Sequence, residues 1–336
     1  MRALVSIVVL SIALVALPGG PRSEADTGNF VIKVATLVPR TQDLAVQEKR
    51  YNQRLAEATN GRIQFKTYFG GSAGDDQTVI RKMKIGQVDA APLGTDVVAR
   101  YVHQCTVLMA PQTFTNWKQV DAVRSALAVE FNDEAYKNGF KVMSWWDGGQ
   151  VRIFSKSPVR NFGDLRKGRP WLYPESALLK EFYQMINVTG VPLPLSEVYS
   201  GLMTNMIDTV WMSSVLGTAF RWTTETKFVS TMPVSVIQGA FLLRRAVWDG
   251  FSKEDQTTLS TILGDQAAAT QADFRRDDEK TYKKLQTRGI TPIDFDKPQD
   301  WLDMGTKLRK KMVGRSYTQA LLDRVEAITK QYADKT

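Results

Sequence analysis

Two hydrophobic periods alternate along the chain from residue 30 onward. Phe30–Leu37, Arg62–Tyr68 and Val88–Leu93 carry short alternating or apolar runs that predict strands. Between the first two, Asp43–Ala58 repeats apolar residues at helical spacing (Leu44, Val46, Tyr51, Leu55, Ala58) and ends at Asn60-Gly61, a helix stop. A Gly-rich turn over residues 69–74 leads to a second predicted helix, Asp75–Ile85, stopped by Gly86. Strands alternating with helices predict an α/β fold of βαβ units with a largely parallel sheet.

The pattern restarts near Trp146-Asp-Gly-Gly149, where a second lobe is expected to open. Val151–Phe154 and Pro170–Tyr173 read as strands, residues 158–165 as a turn, and Ala177–Ile186 as a helix. Within Pro192–Met212, Ser196 has the hydroxyl of an N-cap, Val198, Leu202 and Met203 form an apolar helix face, and Asn205 suits a left-handed stop. Met206–Met212 then predicts a mostly buried strand whose end would wall a ligand site. Met83–Gly94 repeats this plan: a helix end, a glycine stop, and a strand with an early Asp. Two lobes on one plan imply a cleft between them.

Gln238–Leu243 reads as a strand returning to the first lobe. Ser252-Lys-Glu-Asp255 starts a helix expected to run to residues 285–288 without proline and with only Gly264 inside. At about 1.5 Å per residue it spans roughly 50 Å, enough to cross both lobes. Residues 299–313 and 317–332 predict two further amphipathic helices. The expected organisation is lobe I over 26–150 with 238–277 returning to it, and lobe II over 151–237 with 278–336 packed on it.

Ahead of these elements, Arg2 precedes the apolar run Ala3–Leu17, followed by Pro18-Gly-Gly-Pro21 and Ser23-Glu-Ala25. A basic start, an apolar stretch and a small-x-small end predict a cleaved secretory signal peptide over residues 1–25, and hence a periplasmic protein. The apolar run is short for a bilayer span of about 20 residues. A net charge of +9 raises nucleic acid as a partner, but the basic residues are scattered in pairs without interleaved aromatics, which argues against it.

Candidate catalytic chemistry is sparse. Cys105 and His103 are the only residues of their types, so zinc sites and Ser–His or Cys–His machinery lack components. There is no P-loop, no G-x-G-x-x-G after a strand and no G-x-S-x-G elbow. The acid pairs Asp75-Asp76 and Asp277-Asp278 read as solvated helix residues. Binding is expected, not catalysis, with neither cofactor nor metal.

Ala56-Glu-Ala-Thr-Asn-Gly-Arg62, Met83–Ala90, Asp164–Pro174 and Ser196-Glu-Val-Tyr199 with Leu202 and Asp208 together resemble the solute-binding proteins of TRAP transporters, the DctP-like family. The resemblance covers about residues 30–330. It implies a type II periplasmic-binding-protein-like fold: two α/β lobes, hinge strands, a ligand cleft and a long helix across both. It also implies delivery of a small organic ligand to TRAP permease membrane subunits driven by an ion gradient.

The family holds its ligand's carboxylate with an arginine two residues before the proline here numbered 174, a two-pronged ion pair. In this chain that position is Leu172. A polar family position falls at Met212, beside Trp211, and an aromatic position at Leu195. Burying a carboxylate without its cation costs about 3–5 kcal/mol, a hundredfold to several thousandfold in affinity. The resemblance therefore implies a more apolar or uncharged ligand than usual, in a cleft lined by Trp145, Trp146, Trp171, Leu172, Tyr173, Leu195, Trp211 and Met212. Arg152, near a second basic contact of the family, is the alternative anchor for a mono- or dicarboxylate. Two other readings follow from the lost arginine: a ligand sensor outside transport, or a scaffold for a helical-repeat partner protein.

Overall fold

The computed structural model describes residues 28–333. Strand β1 (Phe30–Ala35) pairs in parallel with β2 (Ile63–Tyr68) and, at Val34, with β3 (Ala90–Gly94). Helix α1 (Gln42–Thr59) makes the crossover; Thr41 accepts the Leu44 N–H at its start, and Asn60 at φ 51° ends it. Of its expected apolar face, Leu55 is buried and Val46 and Ala58 stay exposed. Helix α2 (Asp76–Lys84) is capped by Asp75, and short α3 (Thr95–Val98) follows β3 directly.

A 3₁₀ turn over His103–Met109 leads to α4 (Trp117–Lys137), a 21-residue helix absent from the sequence expectations. Then comes β4 (Phe140–Ser155), sixteen residues long. Where the pattern predicted a break, the strand continues with irregularities between Val142 and Ser144 and between Asp147 and Gly149. Gly149 takes φ 91°, a conformation that bends the strand without ending it.

The second section contains α5 (Phe162–Lys167), β5 (Trp171–Leu172), α6 (Ala177–Met185), β6 (Val191–Pro192), α7 (Val198–Met203), β7 (Thr209–Met212), α8 (Ser214–Ala219) and β8 (Phe228–Ser230). The chain returns through β9 (Ser235–Arg244) and α9 (Arg245–Asp249), then α10 (Lys253–Thr287), β10 (Thr291–Ile293), α11 (Pro298–Lys311) and α12 (Gln319–Gln331).

The expected largely parallel sheet is instead mixed. Its main path runs β10-β8-β4-β9-β3-β1-β2, with β7 also on β4 and a separate β5-β6 pair. The β1-β2, β1-β3 and β8-β10 pairs are parallel; β9 is antiparallel to β3 and β4, and β4 is antiparallel to β7 and β8. The returning strand causes this, because β9 enters between β3 and β4 from the opposite direction. Strand β4 pairs with β9 up to Val151, then with β7 and β8 from Arg152 to Ser155. One continuous strand thus serves both halves of the sheet.

The internal echo is physical. Gly86 (φ 78°) and Asn205 (φ 56°) stop α2 and α7 in the left-handed region. Asp89 accepts the Lys33 backbone N–H at 3.0 Å, and Asp208 accepts the Arg169 N–H at 2.9 Å. Each early Asp therefore pins a neighbouring segment. Three details of this stretch differ from expectation. Helix α7 starts at Val198 after a 3₁₀ turn, so Ser196 is not its cap; Met203 and Met206 are exposed; and β7 starts only at Thr209.

Helix α10 has 35 residues and is capped by Ser252. It touches α1 near its start and α8 near its end. The Arg62 guanidinium grips buried Asp255 with two hydrogen bonds of 2.9 and 2.7 Å. Further along, Asp278 accepts the backbone N–H groups of Gln150 and Val215, both at 3.0 Å. The helix is a brace across the bend in β4.

Candidate functional site

A cavity of about 740 Å³ lies between the two halves. Its walls come from β1, α1 and the start of α2 on one side, and from β5, α6, β7, α8 and α11 on the other, with β4, β9 and α10 between them. Most of the lining is hydrocarbon or aromatic ring, including Tyr51, Phe182, Phe241, Phe274 and Trp301.

Six of the nine residues singled out from the sequence line this cavity: Trp146, Trp171, Tyr173, Leu195, Trp211 and Met212. Hydrogen bonds set two of the indoles, whereas Trp146 Nε1 is buried without a partner. Trp171 Nε1 donates to the Leu193 carbonyl at 2.8 Å, and Trp211 Nε1 donates to the Tyr183 hydroxyl at 2.6 Å. Tyr183 in turn donates to the Trp171 carbonyl at 2.8 Å. Trp146 lies against Gly239, where a Cβ would come within 2.1 Å of its Cζ2 atom. The glycine is needed because no larger residue leaves space for the indole.

The other three lie outside the lining. Trp145 faces the opposite side of β4, where its Nε1 donates to Asn132 Oδ1 at 3.0 Å and its ring packs 6.0 Å from Phe131. Leu172 lies outside the lining and packs over Gly190. Arg152 is buried; its guanidinium donates to the Ser230 and Thr231 carbonyls and to Gln150 Oε1, and lies 3.9 Å from the Tyr282 ring centroid.

Among the described residues that line the cavity there is no Lys, Arg or His; the charged ones are Asp76, Asp96 and Asp147. Asp147, fully buried at its carboxylate, is matched: Arg124 donates to its Oδ1 at 2.5 Å and Arg275 to its Oδ2 at 2.7 Å. Asp76 and Asp96 have no such cation. Asp76 accepts from the Tyr173 hydroxyl at 2.6 Å. Asp96 has its Oδ1 sealed from solvent without a hydrogen-bond partner. Burial pushes the Asp76 carboxyl up to about 6, with Glu175 and Asp75 adding to the rise and the Tyr173 bond opposing it. Burial likewise pushes Asp96 up to about 6, against a hydrogen bond from Ser176 and with repulsion from Glu175 and Asp76.

These acids were missed because the Asp75-Asp76 pair looked like solvated helix residues. Only Asp75 has an ordinary helix role, accepting the Thr78 N–H at 2.8 Å. Asp75 is the extended N-cap outside the helix, whereas Asp76 is the first helical residue and lies in the cavity lining. Of the second acid pair, Asp277 is exposed, whereas Asp278 is buried under the β4 bend.

The family model for bacterial extracellular solute-binding proteins, family 7 (DctP), matches residues 35–314. The chain belongs to this family. It is thus a solute-binding protein and not an enzyme. The 2,3-diketo-L-gulonate-binding periplasmic protein YiaO of Escherichia coli is 22% identical over 277 residues, which are 82% of this chain and 84% of that protein. The ectoine/5-hydroxyectoine-binding periplasmic protein UehA of Ruegeria pomeroyi is 22% identical over 72% of this chain and 70% of its own length. The structure of the sugar acid binding protein DctPAm of Advenella mimigardefordensis with galactonate superposes with a TM-score of 0.84 at 14% identity, covering 92% of this chain and all of that one. A TRAP periplasmic solute-binding protein of Xanthobacter autotrophicus with galacturonate gives a TM-score of 0.81 at 18% identity over 88% of this chain and 99% of that one. These likenesses establish the two-lobe periplasmic-binding fold with a mixed central sheet.

Proposed function

We propose that this family 7 protein is the solute-binding component of a TRAP-type transporter that takes a small organic ligand with a largely apolar body. The ligand would sit in the cavity between lobe I (26–150 and 238–277) and lobe II (151–237 and 278–336) and pass to the membrane permease subunits. Residues 1–25 would direct it to the periplasm and be removed; they lie outside the described residues, among which no helix is long and apolar enough to cross a membrane.

One observation carries the reading: the described lining is rich in aromatic rings and holds no basic side chain. A buried carboxylate needs a cation or several donors to offset desolvation, and here it would face Asp76 and Asp96. Arg152, the alternative anchor, is already occupied by carbonyls and Tyr282. The proposal is tested by titrating the mature protein with succinate, galactonate and aromatic ligands of the same size while following Trp fluorescence. Saturable binding of an aromatic ligand and none of the two acids is expected. Micromolar binding of succinate or galactonate would overturn it.

A further inference from the structure

We propose that the ligand carries a cationic nitrogen, and that Asp76 and Asp96 are the groups that select it. This rests on reading the cavity as the ligand site and adds the chemical class of what enters.

The geometry supplies three independent reasons. First, the lining contains two carboxylates without a matched cation, Asp76 and Asp96, and no described basic side chain, so the field inside it favours a positive charge. Second, only Asp147 has its charge matched within the protein, by Arg124 and Arg275. Third, Asp96 keeps an oxygen buried without a partner, an arrangement that costs free energy unless something supplies a donor. An alkylammonium group or protonated ring nitrogen supplies both the donor and the charge. Aromatic walls suit such a cation as well, because ring faces attract positive charge most strongly where water is excluded.

The surrounding charges strengthen this assignment. Asp75, the cap of α2, repels Asp76; from the segment after β5, Glu175 repels both acids and Tyr173 donates to Asp76. Buried Cys105 lies near Asp96, with its thiol pushed up by burial and by that carboxylate. The nearby cation, Arg100, is turned outward, paired with Glu175 and donating to Gln77 Oε1 at 2.7 Å. Both acids carry pKa values raised to about 6, so they would be ionised at neutral pH and increasingly protonated below it.

The test uses three probes on one skeleton: 2-phenylethylamine, 2-phenylethanol and phenylacetate. Each is titrated calorimetrically into the mature protein at pH 7.5 and pH 5, and into the Asp76→Asn and Asp96→Asn variants. The amine is expected to bind at least about tenfold tighter than the alcohol at pH 7.5, with phenylacetate weakest. Its advantage should shrink about tenfold for each pH unit below 6. Either Asn variant should lose most of that advantage, with circular dichroism and a cooperative thermal unfolding transition showing that the variant is folded. The proposal is overturned if alcohol or acid matches the amine, or if the preference survives both substitutions. If none of the three binds, the apolar-cavity reading itself fails, and this proposal with it.

Discussion

The Tyr173 hydroxyl donates to Asp76 Oδ2 at 2.6 Å, joining the segment after β5 to the first turn of α2. These two elements stand on opposite sides of the cavity, and the Arg100–Glu175 ion pair crosses at the same edge. The bond spans the cleft. Tyr173→Phe removes the donor but keeps the ring. It should cost about 1–3 kcal/mol in urea unfolding. Because that bond holds the Asp76 pKa down against burial, the Asp76 carboxyl should also titrate at a higher pH in the variant, measurable by NMR of the side-chain carbon.

Stability should depend on pH in a direction opposite to that of ordinary paired carboxylates. Asp76 and Asp96 have folded-state pKa values raised from 3.8 to about 6, so the folded state binds more protons than the unfolded one across that interval. Their contribution therefore makes the protein less stable as pH rises from about 4 to about 6. Each shift corresponds to up to about 3 kcal/mol. Asp96→Asn should flatten this part of a plot of unfolding free energy against pH and leave the ligand-free variant more stable at pH 7.

Asp147 is the opposite case. Its carboxylate is fully buried but meets two arginines that are themselves mostly buried. Asp147→Ala takes from Arg124 and Arg275 their buried partner and should destabilise the fold by about 3–5 kcal/mol. Asp121 remains to hold both, Arg275 at 2.6 Å and Arg124 at 3.0 Å, so the loss should fall toward the lower end. Chemical denaturation of wild type and variant measures the difference.

Gly239 positions Trp146. A methyl group there would stand 2.1 Å from Trp146 Cζ2 and 2.4 Å from the Leu93 carbonyl oxygen. Neither the strand backbone nor an indole walled in by β9 can yield cheaply. Gly239→Ala should cost about 1–3 kcal/mol in thermal unfolding and shift the Trp emission, since the ring must leave its seat.

The long helix, the Asn205 and Gly86 stops and the repeated Asp positions were all legible in the sequence, because caps and left-handed residues act locally. Helix α4 was not recognised, although Val120, Val123, Leu127, Phe131 and Ala135 are buried at spacings of three and four. Its charged faces dilute that signal. The sheet's direction was misread because β9 comes from more than a hundred residues beyond β3, and no local pattern records where a returning strand inserts. Within the cavity Trp146, Trp171, Tyr173 and Trp211 could be read from their place in the chain, whereas Tyr51, Phe182, Phe241, Phe274 and Trp301 come from elements that no local pattern linked to the cleft. The acids could not, since Asp75 and Asp76 are adjacent and chemically identical; one is the extended cap and the other the first helical residue, and only the fold shows which lines the cavity.

The most direct measurement is to purify the protein from its native compartment, unfold it gently, and identify what it releases by mass spectrometry. An organic amine with an aromatic or branched apolar body, released in about equal amount to the protein, is the expected result. A sugar acid or a dicarboxylate in that position would contradict both the apolar cavity and the selection of positive charge by Asp76 and Asp96.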